Sequence, residues 1–68
     1  MRIVCSTTID NPREKELFIK QLKSLGVKPE VSNTYVFIEY IGFNEIRYDN
    51  IIKLFEEKHR SSIKIRND

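Results

Sequence analysis

The stretch NTYVFIEYIG, residues 33–42, carries a large apolar side chain at nearly every position. Strict alternation tells the buried face of a strand from the wet one. Here it is blurred, because Val36, Ile38 and Tyr40 fall on one side and Tyr35 and Phe37 on the other, with Glu39 as the sole charge. A strand apolar on both sides belongs in the middle of a sheet. Its reading decides the fold, since its flanking segments must supply neighbours and a cover.

Immediately before it, VKPEVS at 27–32 alternates Val27, Pro29 and Val31 with Lys28, Glu30 and Ser32. Proline cannot donate to a ladder, so this segment is expected at a sheet edge. Ser32 and Asn33 supply a short turn, making a hairpin with a strand over residues 34–41. Further upstream, RIVCSTTI at 2–9 is rich in β-branched residues and reads as a first strand. DNPRE then starts a helix, with Asn11 or Asp10 as cap, Pro12 at the first position and Glu14 closing a capping box. Leu17, Phe18, Leu22 and Leu25 share one side of that helix, Ile19 flanks them, and Gly26 ends it in a left-handed cap.

Downstream, Tyr48, Ile51, Ile52 and Phe55 recur at helical spacing, with Asn44 and Asp49 as competing caps and an end near His59. SSIKIR at 61–66 alternates Ile63 and Ile65 with polar residues as a last strand. The order β-α-β-β-α-β with right-handed crossovers predicts an α+β, ferredoxin-like plait. This is a four-stranded antiparallel sheet with both helices on one face and strands one and three in the centre. Residues 1–68 are expected to form a single compact domain.

At 68 residues the core is thin, since chains of this size bury only about 60% of the surface that unfolding exposes. With 32% charged and 40% hydrophobic residues the chain is too apolar for disorder. A net charge of +2 is far from the dense basic character of a duplex-DNA binder. A lone cysteine, Cys5, rules out an internal disulfide or a multi-cysteine zinc site and favours a reducing compartment. No apolar run approaches the roughly 18 residues of a membrane span. A cytoplasmic chain with no membrane partner is expected.

With the helices over the face of Ile3, Cys5, Val36, Ile38, Ile63 and Ile65, the other face is left open. The candidate binding surface there is Arg2, Val4, Tyr35, Phe37, Lys64 and Arg66. Two aromatics bracketed by cations suit base stacking. TYVFIEY also resembles the second signature strand of RNA-recognition motifs, with Tyr35, Phe37, Ile38 and Tyr40 at the matching positions. Val36 stands where that family usually has glycine or alanine, and Val4 where its first strand usually has an aromatic. The resemblance implies single-stranded RNA or DNA as a ligand. Composition and architecture point first to protein–protein contact or homodimerisation, because an open apolar sheet face on a small domain is commonly buried by a partner. The expectation is a small non-enzymatic binding or regulatory module, with single-stranded nucleic-acid binding on the same face as the alternative. Short length alone suggests an accessory protein of a mobile element.

Catalytic chemistry finds little to stand on. Cys5 and His59 would make a nucleophile–base pair only if they met, and Cys5 points to the core, where a thiol is a small hydrophobe. Thr7, Thr8 and the amides of Arg13 and Glu14 could cradle an anion at the first helix, but Asp10, Asn11 and Glu14 already supply negative charge and a cap. Acylphosphatases share the plait, yet their phosphate cradle needs a basic loop after strand one, and here no arginine comes before Arg13. Glu56 and Glu57 are adjacent on a helix and point apart. No catalytic residue, metal ligand or small-molecule cofactor is expected.

Overall fold

The structure, a computed structural model, describes residues 1–66, so the last two positions of the expected 1–68 domain lie outside the described residues. Its elements are β1 (Arg2–Thr8), α1 (Pro12–Ser24), β2 (Glu30–Ser32), β3 (Tyr35–Ile41), α2 (Glu45–Glu56) and β4 (Ser61–Arg66). The strands form one sheet in the order β2-β3-β1-β4, with every neighbouring pair antiparallel. This is the ferredoxin-like α+β plait, and β3 and β1 are its central strands.

Register resolves the ambiguity of β3. Ile38 lies opposite Cys5 and Val36 opposite Thr7, and all four side chains are buried. Cys5, Val36 and Ile38 pack in one cluster with Phe18 and Leu22 of α1 and with Tyr48, Ile51 and Phe55 of α2. Both helices therefore cover the same side of the sheet. The Phe18 and Phe55 rings meet edge to face with centroids 5.0 Å apart, the arrangement that aromatic quadrupoles favour.

Local signals act mostly as read. Asn11 Oδ1 accepts from the amides of Arg13 and Glu14 at 2.9 and 3.1 Å, and Gly26 holds a φ of 82° just past α1. The reciprocal half of the capping box is not made, however. The Glu14 carboxylate accepts from Lys58 Nζ at 3.0 Å, drawn to a cation that sequence distance concealed. Asn44 caps α2 through Arg47 N, which settles its competition with Asp49. α2 ends at Glu56, before His59, and Arg60 beyond it pairs with Asp10 at 2.6 Å.

The second strand is shorter than expected. Only Glu30–Ser32 pair with β3, because Pro29 cannot extend the ladder. The hairpin turn is Asn33 and Thr34, one residue later than read, with Asn33 at φ 56°. At the opposite end, the Tyr48 hydroxyl donates to Met1 O and to Gly42 O, tying α2 to the start of β1 and the exit of β3. A Cβ at Gly42 would lie 2.7 Å from Tyr40 Oη, so a larger residue there would displace that ring.

Candidate binding surface

The helix-free face is best described as rows running across the strands. Thr8, Tyr35 and Ser32 form the row nearest the hairpin, followed by Ser62, Ser6, Phe37 and Glu30. Next come Lys64, Val4 and Glu39, and finally Arg66, Arg2 and Ile41. Successive rows are about 7 Å apart, two residues of strand rise. All six expected surface residues share this face.

Tyr35 is 43% exposed, while Phe37 and Val4 are half-buried by their neighbours. A shallow depression lined by Glu30, Val31, Ser32, Tyr35 and Phe37 runs along the hairpin. The cations do not bracket these rings as expected. The two aromatic rows hold hydroxyls and the Glu30 carboxylate, whereas Lys64, Arg2 and Arg66 occupy the far rows, and Lys28 falls outside β2. The difference arises because period-two parity gives the face of a residue and not its level along the strand, which register sets.

Arg2 and Arg66 lie directly opposite one another, a like-charge pairing that disfavours both charged side chains. Glu39 relieves one of them: its Oε2 lies 3.2 Å from Arg2 Nε, an ion pair outside hydrogen-bond alignment. Being partly exposed, this pair contributes at most about 1 kcal/mol. Its larger effect is to neutralise one of the three cations. Lys64 and Arg66 make no ion pair among the described residues.

Of the residues weighed for catalysis, Thr8, Asp10, Asn11, Glu14 and His59 line one cavity together with Glu57, Lys58 and Arg60, and Cys5 is not among them. Burial pushes the Cys5 thiol up to about 12, and His59 is exposed beyond the end of α2. The amides of Arg13 and Glu14 are taken by Asn11, and the Thr7 hydroxyl is buried without a hydrogen-bond partner. Among the described residues no group of three or more His, Cys, Asp or Glu side chains is placed to hold a metal ion. Nor, among the described residues, is any helix long and apolar enough to cross a membrane.

Sequence reading missed two apolar surfaces. Ile41 extends the open face, as its parity with Glu39 indicates, and Phe43 beyond it is 92% exposed. Val31 and Ile65 have core-side parity yet stay exposed on the two edge strands, and α2 flanks Ile65 only across a groove lined by Tyr48 and Ile52. Compared with known proteins, the chain matches no family model, no curated protein and no solved structure.

Proposed function

We propose that this chain is a non-enzymatic, cytoplasmic binding module whose open sheet face docks on protein, with a second copy of the chain as the occupant. The observation that carries the reading is the setting of Tyr35 and Phe37. They form an apolar platform on a face that no helix covers, and their own rows supply hydroxyls and one carboxylate. Aromatic side chains are enriched at protein interfaces. Across the whole face, Arg2, Lys64 and Arg66 are nearly balanced by Glu30 and Glu39, so two copies meet without strong repulsion. Nucleic acid would need cations tracking a backbone beside the stacked bases, and here they stand one to three rows away.

The test is light scattering on the purified chain beside an amide-shift titration with short single-stranded RNA and DNA. A dimer lost on replacing Tyr35 and Phe37 supports the proposal. Salt-sensitive oligonucleotide binding through those rings would replace it with the nucleic-acid reading.

A further inference from the structure

The β4 edge presents a different kind of surface. β4 runs over Ser61–Arg66 and pairs on one side only, with β1. Its outer backbone groups are those of a free edge, the usual template for an added strand. On the open face its side chains are Ser62, Lys64 and Arg66, and the last two have no carboxylate partner among the described residues while Arg66 faces Arg2. On the helix face, Ile65 is 52% exposed. It lines a groove with Met1, Tyr48 and Ile52, rimmed by Glu45 and Asp49. The two sides of this edge thus differ in chemistry: exposed cations on one, an apolar groove with an acidic rim on the other.

We infer that β4 accepts an extended segment of a protein partner, one that alternates acidic and apolar residues, as a fifth strand of the sheet. Period two places all the acidic side chains of such a segment beside Lys64 and Arg66, and all its apolar side chains over Ile65 and the groove. Main-chain hydrogen bonds supply affinity, and the alternation supplies register. Glu45 and Asp49 repel a segment offset by one residue, which would turn its carboxylates into the groove. A second copy of β4 is a poor occupant. Face-matched antiparallel pairing sets Lys64 opposite Lys64, or opposite Ser62 with the two Lys64 side chains diagonal to each other. The edge is separate from the Tyr35–Phe37 platform and does not rest on the proposal for it.

The probe is a capped seven-residue peptide, EVEIEVE, titrated into the isotope-labelled chain, with KVKIKVK as its charge-reversed counterpart. Amide shifts at Ser61–Arg66 and at Met1 and Ile52 are expected with the glutamate peptide, together with slowed exchange along β4. Lys64→Glu with Arg66→Glu should weaken that peptide about tenfold and transfer preference to the lysine peptide. Replacing Tyr35 and Phe37 by alanine should leave peptide binding unchanged, which separates failure here from failure of the open-face reading. The inference is overturned if the wild-type chain binds both peptides equally or shows no shifts at millimolar peptide. Shifts confined to the Tyr35–Phe37 rows also overturn it, as does β4 protected from exchange in a peptide-free dimer.

Discussion

Replacing Phe18 by alanine removes the ring that joins α1 to α2. Phe18 is 1% exposed, its ring meets that of Phe55 at 5.0 Å, and Lys58 Nζ lies 5.2 Å from its centroid. Truncating a buried phenylalanine costs about 3–5 kcal/mol from lost transfer energy and the cavity left behind. The edge-to-face pair accounts for about 0.5–1.5 kcal/mol of such a loss. Natural domains hold about 0.05–0.15 kcal/mol per residue, so a chain of 68 residues has about 3–10 kcal/mol in all. Phe18→Ala should therefore be largely unfolded without denaturant, or unfold at a much lower urea concentration. With a slope near 1 kcal/mol per molar urea for so small a domain, the midpoint should fall by about 3–5 M. Far-ultraviolet circular dichroism during a urea titration reads this directly. A midpoint within about 0.5 M of wild type would refute the docking of α1 through Phe18.

Cys5 should resist a bulky thiol reagent in the native state at neutral pH, since it is buried and its thiol is held at about 12 against an ordinary 9.0; rapid labelling without denaturant would contradict the register of β1. Because the folded state holds that proton more tightly, stability should be unaffected below about pH 9. It should then decline by about 1.4 kcal/mol per unit as pH rises toward 12, and a Cys5→Ala variant should lack this decline. Thr7→Val replaces a buried, unpartnered hydroxyl by a methyl group and should stabilise by about 1 kcal/mol, raising the melting temperature by about 4–8 °C; a lower melting temperature would show that the hydroxyl is bonded in solution. Asn11→Ala removes the acceptor for two amides and should cost about 1 kcal/mol in urea unfolding. Unchanged stability would mean that the start of α1 is held by other contacts.

Much of the architecture was legible because its determinants are local. Asn11 with Pro12, Gly26, and Pro29 just before an edge strand each act through their own backbone, and Ile3 and Cys5 declare a face by alternation. β3 was legible only in company: Val36 and Ile38 turn inward because β1 and the helices offer them a core, a fact that lies outside residues 33–42. What escaped depends on distance and level. Glu14 leaves the cap for Lys58, which lies 44 residues away. Leu17 belongs to the apolar side of its helical wheel yet remains exposed, because a wheel shows direction and not how far the sheet extends beneath it. Ile65 likewise stays exposed on an edge strand, with α2 only across a groove. The six candidate residues share the helix-free face, as alternation indicates, but their division into an aromatic end and a cationic end required the register of four strands.

Light scattering over a concentration series, on wild type and on the Tyr35→Ala, Phe37→Ala double variant, tests the central claim most directly. The open face predicts a wild-type dimer and a folded, monomeric variant, with the difference persisting in high salt because the contact is mainly apolar. The variant should keep the wild-type circular dichroism spectrum, since neither ring is part of the core. A wild-type chain that stays monomeric throughout, or a double variant that still dimerises, would contradict the account.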